Sequence, residues 1–211
     1  MKSYKNPVFL YVLTTGDEYF KVHPHYNIPL DYDEIFAISL MTIGGEEEII
    51  HLNNELYKPR RKQLDELVRY HTGYTNEMLA DAPTFSRKDK DYIQKVIDEA
   101  EALVSFDTLK YYFFLKNEGI IIDDKKLIDL NTPEDNGGNL FVSYEDLCDY
   151  WGVPCQKYEY DPLNLKPINT GIRCHIMERV YDCICKQEKY QAPPVIPPLT
   201  ENVPDDEGMP F

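Results

Sequence analysis

The sequence predicts an α/β fold in which a mixed, largely antiparallel sheet is flanked by helices. An unbroken apolar run at residues 8–13 ends in Thr-Thr-Gly at residues 14–16, which is typical of a strand buried on both faces and followed by a tight turn. Two further apolar segments lie on either side of the Gly-Gly pair at residues 44–45 and predict a hairpin. Amphipathic helices then alternate with short apolar strands, as expected of helices that pack on a sheet.

Composition limits the class of protein. The chain has 211 residues, of which 43% are hydrophobic, and this is enough for a sizeable core. The formal net charge of -15 argues against a protein that binds nucleic acid mainly by neutralising phosphates, because that mode needs a basic face. No run approaches the roughly 18 apolar residues of a membrane span, and the N-terminus lacks a signal-peptide pattern, so we expect a cytoplasmic protein.

The elements after the first strand follow from their apolar patterns. Residues 34–43 and 48–52 are the hairpin strands, and a helix is predicted at residues 61–70, where leucine and valine side chains share one face. A second amphipathic helix is predicted at residues 90–102. Its inward side chains are predicted to be Tyr92, Ile93, Val96, Ile97 and Ala100.

The second half of the chain continues the alternation. Residues 102–106 and 126–130 are predicted strands, and the apolar segment at residues 109–115 is a predicted helix closed by a glycine. Ser143 is the predicted N-cap of a helix at residues 142–151. The last helix is predicted at residues 170–189, with a buried face formed by Ile172, Ile176, Val180 and Ile184.

The composition changes at residue 191. Residues 191–211 are rich in proline and acidic side chains, which exclude a helix or a central strand. We therefore predict one folded domain at residues 1–190, followed by an extended, disordered and acidic tail at residues 191–211.

Two stretches carry a resemblance to a known family. The buried strand before Thr-Thr-Gly resembles the first motif of the DnaQ-like (DEDDh) 3'-5' exonucleases. Residues 71–85, His-Thr-Gly-Tyr-Thr-Asn-Glu-Met-Leu-Ala-Asp-Ala-Pro-Thr-Phe, resemble the segment that packs under the active-site cleft in that family. The resemblance extends over roughly residues 7–189, and it implies a ribonuclease H-like sheet headed by the strand at residues 8–13.

The resemblance also implies where the metal-binding carboxylates of the family would lie. The two carboxylates of the first motif correspond to Tyr11 and Leu13. Neither side chain can replace an anionic oxygen ligand of a hard divalent cation. The first motif therefore keeps its backbone pattern and loses its metal ligands.

The other two motifs are replaced as well. In an ungapped alignment, which we favour, Tyr111 takes the place of the second-motif Asp, whereas a shortened loop would leave Asp107 as a remnant carboxylate. The third motif of the family supplies a His as general base and, five residues later, an Asp as metal ligand. Placed by its distance from the helix end, this motif falls on Thr170 and His175.

Three hypotheses follow for the function. The first is a catalytically inactive exonuclease fold that serves as an interaction module in DNA replication and repair, without a metal cofactor. The second is an active 3'-5' exonuclease that binds Mg²⁺ or Mn²⁺ through displaced carboxylates. These carboxylates would be Asp17, Glu18, Asp107 and Asp182. The third is a non-catalytic protein that binds single-strand ends.

The end of the chain carries a separate resemblance. Residues 204–211, Pro-Asp-Asp-Glu-Gly-Met-Pro-Phe, resemble the C-terminal tip of bacterial single-stranded-DNA-binding proteins. In that family the tip docks on enzymes of replication, recombination and repair, and its terminal Phe enters an apolar pocket. The resemblance implies that genome-maintenance proteins are the partners of this chain. The partner-binding residues would be Asp205, Asp206, Glu207, Met209, Pro210 and Phe211.

Overall fold

A computed structural model describes residues 3–15, 34–44, 47–64, 66–106, 108–133, 138, 141, 143–155 and 166–191. The strands are β1 (Pro7–Thr14), β2 (Ile35–Gly44), β3 (Glu47–Leu56), β4 (Ala102–Ser105) and β5 (Lys126–Asp129). The helices are α1 (Glu66–Thr72), α2 (Arg87–Asp98), α3 (Thr108–Asn117), α4 (Tyr144–Trp151) and α5 (Thr170–Lys186). The predicted tail lies, apart from Gln191, outside the described residues.

The five strands form one mixed sheet in the order β3-β2-β1-β4-β5. β1 is the central strand, antiparallel to β2 and parallel to β4. Every residue of β1 except Tyr11 is buried, which explains why its sequence is an almost continuous apolar run. The predicted α/β class, and the place of residues 8–13 inside the sheet, are confirmed.

Alternate side chains of β1 enter two different helical layers. Val8, Leu10 and Val12 pack with the buried faces of α2 and α3. On the opposite face, Phe9 packs with α4 and α5. A smaller cluster beside the end of β1 contains Leu13, Phe36, Val68, Tyr74 and Leu79. The sheet is therefore covered on both sides, and the segment at residues 71–85 lies against the carboxyl end of β1.

Local polar contacts shift two helix starts from their predicted positions. α1 begins at Glu66 rather than at residue 61, because Glu34 accepts hydrogen bonds from the backbone N–H groups of Arg60 and Arg61 at 2.9 and 2.6 Å. α2 begins at Arg87 rather than at residue 90, because Ser86 and Asp89 form a capping box. In both places a side-chain contact, rather than apolar spacing, sets the boundary.

Two predicted inward side chains are exposed instead. Tyr92 is 42% exposed, and its hydroxyl reaches the backbone oxygen of His51 on β3 at 3.5 Å. Ile172 is 55% exposed, although Ile176, Val180 and Ile184 are buried as predicted. Four-residue steps rotate by about 40° on an α-helix, so the first member of that series lies at the margin of the buried face.

α5 also ends earlier than predicted, at Lys186, where Gln187 adopts a left-handed backbone with φ of 57°. Within the described parts of the chain, no helix is long and apolar enough to cross a membrane.

Candidate functional site

The residues at the first-motif positions lie near the carboxyl end of β1. Leu13 is 1% exposed and belongs to the small apolar cluster that also contains Leu79. Tyr11 is half-buried, and its ring makes edge-to-face contacts with Tyr111 at 5.9 Å and with Tyr144 at 6.3 Å between centroids. The structure therefore brings together Tyr11 and Tyr111, the residues that the ungapped alignment predicts at the first and second motifs, as an aromatic contact.

α3 places Tyr111 at this contact. The helix starts next to the end of β4, where the backbone N–H of Thr108 donates to Asp129 at 3.1 Å. The ammonium of Lys110 lies 5.8 Å from the centroid of the Tyr111 ring, and burial lowers the pKa of Lys110 to about 7. Asp107, the remnant carboxylate of the alternative alignment, lies outside the described residues.

Arg173 of α5 completes the site. Its guanidinium carbon lies 4.3 Å from the centroid of the Tyr144 ring, and Nη2 lies 3.2 Å from Oε1 of Glu145. The Arg173 side chain is only 8% exposed, and Nη1 has no hydrogen-bond partner within the described segments. We call the set Tyr11, Phe106, Tyr111, Tyr144 and Arg173 the aromatic–arginine cluster.

Tyr144 contacts Tyr11, Phe106 and Arg173 in this cluster. Its ring contacts Phe106 at 5.5 Å as well as Tyr11, and its hydroxyl donates to the backbone oxygen of Arg173 at 3.0 Å. Burial raises the pKa of Tyr144 well above its usual value, so the phenol stays neutral. The Arg173 charge is thus paired with Glu145, while Tyr144 provides a neutral aromatic face.

The two positions predicted for the third motif have different surroundings, and only Thr170 lies beside the site, because its partner Ser39 pairs with Tyr11 across β1 and β2. Thr170 is fully buried, and its Oγ1 lies 2.6 Å from Oγ of Ser39. Its backbone N–H donates to Oδ1 of Asn54 at 2.9 Å. His175 contacts Glu48 of β3, with Nδ1 2.9 Å from Oε2. β3 is separated from β1 by β2, so His175 is at the edge of the sheet, away from Tyr11 and Leu13.

Arg173 and Tyr144 are site residues that the sequence patterns did not predict. The available signal was an arginine among the buried positions of α5, three residues after Thr170. An arginine in such a position needs a charged or aromatic partner, and Glu145 and Tyr144 on α4 supply both. Only the packing of α4 against α5 reveals these partners.

Metal donors are scarce in the described part of the chain. There, no group of three or more His, Cys, Asp or Glu side chains could hold a metal ion. Of the displaced carboxylates, Asp182 pairs with Lys186 at 2.7 Å, and the other three lie outside the described residues. The thiol of Cys174 is buried and donates to the backbone oxygens of Phe9 and Ser39 at 3.6 Å.

Comparison with known proteins identifies the fold. No protein-family model and no curated protein matches the chain. Among solved structures, an exonuclease I in its apo form aligns with a TM-score of 0.52 at 13% identity, covering 89% of this chain and 43% of that one. The fold is exonuclease-like. It is an α/β fold with the predicted mixed sheet flanked by helices, and the chain spans less than half the length of that exonuclease.

Two other exonucleases align less closely. E. coli exonuclease I in complex with a dA16 oligonucleotide aligns with a TM-score of 0.49 at 12% identity, over 85% of this chain and 42% of that one. A full-length 3'-exonuclease aligns with a TM-score of 0.31 at 18% identity, over 51% of this chain and 36% of that one.

We predict that replacing Thr170 with Val will destabilise the fold. Thr170→Val keeps the shape of the side chain but leaves Ser39 without its 2.6 Å hydroxyl partner, which should lower the free energy of unfolding by about 1–3 kcal/mol. Thr170→Ser is the matched control. It keeps the hydroxyl and should cost no more than about 1 kcal/mol for the lost methyl. Equal losses for the two variants in urea unfolding would contradict a structural role for the hydroxyl.

Glu178 gives a second prediction, for pH dependence. Burial, followed by the nearby charges of Glu48 and Asp182, raises the pKa of this half-buried carboxyl to about 7. Between its ordinary pKa of 4.5 and this value, the folded state binds more protons than the unfolded state. The contribution of Glu178 to stability is therefore present at low pH and is lost as the pH rises towards 7.

Glu178→Gln should accordingly stabilise the protein at pH 8 and have less effect at pH 5. The measurement is the free energy of unfolding in urea across this range. Glu188→Gln, at an exposed position after α5, is the control and should leave the pH profile unchanged. A Glu178→Gln profile parallel to that of the unmodified protein would show that Glu178 does not titrate as expected.

Proposed function

We propose that this protein is a catalytically inactive exonuclease-like protein that acts as a protein–protein interaction module in DNA replication and repair. The main support is the aromatic–arginine cluster, which stands where the resemblance to DnaQ-like exonucleases implies a metal site. Tyr11 and Tyr111 contact each other there, and Leu13 belongs to an apolar cluster. The resemblance implies carboxylates at Tyr11 and Leu13 and, in the ungapped alignment, at Tyr111.

The chemistry of the side chains supports inactivity. Two-metal hydrolysis of a phosphodiester needs several convergent carboxylates and a base that activates water. Phenol rings and a leucine side chain offer no anionic oxygen at neutral pH. The carboxylate that does enter the cluster, Glu145, pairs with Arg173 at 3.2 Å.

The charge of Arg173 also supports catalytic inactivity. A guanidinium fixed against Tyr144 puts a positive charge into the cluster. At an effective dielectric constant of about 20, a divalent cation about 4 Å from that charge would be repelled by roughly 8 kcal/mol before Glu145 offsets part of the repulsion. Arg173 thus disfavours metal entry through charge, and the aromatic rings disfavour it through volume.

The interaction role rests on the acidic end of the chain. Phe211 would provide a large apolar anchor, and Asp205, Asp206 and Glu207 would attract a basic pocket rim. Met209 and Pro210 would fill and orient the anchor. All of these residues lie outside the described part of the structure. The expected partners are genome-maintenance proteins that bind the tails of single-stranded-DNA-binding proteins.

We predict that the purified protein will not degrade DNA. A 5'-labelled single-stranded oligonucleotide should stay intact with Mg²⁺ or Mn²⁺, and calorimetric titration with either ion should give no heat of site binding. Both expected results follow from the missing carboxylates and from the charge of Arg173. Metal-dependent degradation that disappears on changing Asp107 or Asp182 to Ala would contradict this, and would favour the active enzyme with displaced carboxylates.

A separate prediction concerns the tail. Removing Phe211 should abolish binding to partner enzymes of single-stranded-DNA-binding protein, because the apolar anchor of the tip is lost. A pull-down with purified partner enzymes measures this, and circular dichroism checks that the fold is unchanged. Glu201→Gln, upstream of the tip, is the control and should retain binding. If the protein without Phe211 holds the same partners equally well, the tail proposal is wrong.

A further inference from the structure

Among the described strands, β3 lies at one edge of the sheet, and none of them pairs with its other side. An edge strand presents alternate backbone N–H and C=O groups outwards, and these can bind a further strand. The pairing of β3 with β2 is irregular beyond Ile50, and Asn54 has a left-handed φ of 55°, so the regular part of this edge is Glu47–Ile50. This part can pair with a short extended peptide.

The side chains of β3 favour such pairing. Ile49 and Ile50 are 48% and 49% exposed, and because they are consecutive they point to opposite faces of the strand. Tyr92 of α2 is also exposed and reaches the backbone of His51. The strand contains no lysine and no proline, which commonly protect open edges, and its register irregularities lie beyond Ile50. Apolar surface thus flanks the free edge on both faces.

Charge identifies the kind of partner. Glu47 and Glu55 are exposed near the two ends of β3. A second copy would meet long-range repulsion, because each chain carries a net charge of -15. A basic partner would be attracted to Glu47 and Glu55.

We propose that the open edge of β3 binds an extended segment of a partner protein by strand addition. The segment would place β-branched or apolar side chains against Ile49 and Ile50, and Lys or Arg side chains near Glu47 and Glu55. Main-chain hydrogen bonds would supply affinity, while the glutamates would select for a basic sequence. This site is independent of the aromatic–arginine cluster and of the tail, and it does not rest on the function proposed above.

The test uses a fluorescent synthetic peptide with alternating valine and threonine between lysine pairs. Fluorescence anisotropy should show that this peptide binds the full chain. The double variant Glu47→Lys/Glu55→Lys should weaken binding by at least about tenfold. The double variant Asp124→Lys/Glu188→Lys carries the same change in net charge away from β3, and it should bind like the unmodified protein. A peptide with a central proline should bind at least about tenfold more weakly, because it loses a main-chain donor.

Three outcomes would overturn the proposal. One is the absence of binding at peptide concentrations up to about 1 mM in low salt. Another is an equal loss of affinity in both double variants, because this would show only non-specific attraction to an acidic protein. The third is a dimer in sedimentation equilibrium that Glu47→Lys/Glu55→Lys strengthens or disperses, because the occupant of the edge would then be a second copy.

Discussion

The burial of β1 on both faces is the constraint on which the rest of the structure depends. Its backbone is bonded to β2 on one side and to β4 on the other, while its side chains enter two helical layers. The burial of five large apolar side chains of β1 stabilises the fold by about 2 kcal/mol each, or roughly 10 kcal/mol together. This is comparable with the net stability of a whole domain. An ionised carboxylate at Leu13 would remove part of that stabilisation and would need a compensating cation.

The aromatic–arginine cluster stabilises a buried charge by an ion pair and an aromatic contact. Arg173 carries its own positive charge into the space between α4 and α5, and Glu145 and the ring of Tyr144 stabilise it. A guanidinium is always protonated and weakly hydrated, so it tolerates this environment better than an ammonium would. The cluster therefore joins packing and charge pairing in one unit.

The third-motif positions show that the sequence does not predict the directions of side chains on α5. Counting from the predicted helix end selects Thr170 and His175, but a side chain's direction changes by about 100° with each residue of a helix. In the structure Thr170 faces Ser39 and Asn54, and His175 faces Glu48, whereas Arg173 reaches Tyr144. The N-cap of α5, Asn169, whose side chain accepts a hydrogen bond from the N–H of Ile172, fixes these directions.

The sequence by itself determined the order of strands and helices, the central place of residues 8–13 and the absence of carboxylates at positions 11 and 13, because burial periodicity and residue identity are local properties. It did not determine helix starts that depend on distant groups, such as the contact between Glu34 and Arg61. It also left the partners of Arg173 and His175 undefined. Those pairs join residues far apart in the chain, and only the packing of α5 against α4 and β3 decides which of them meet.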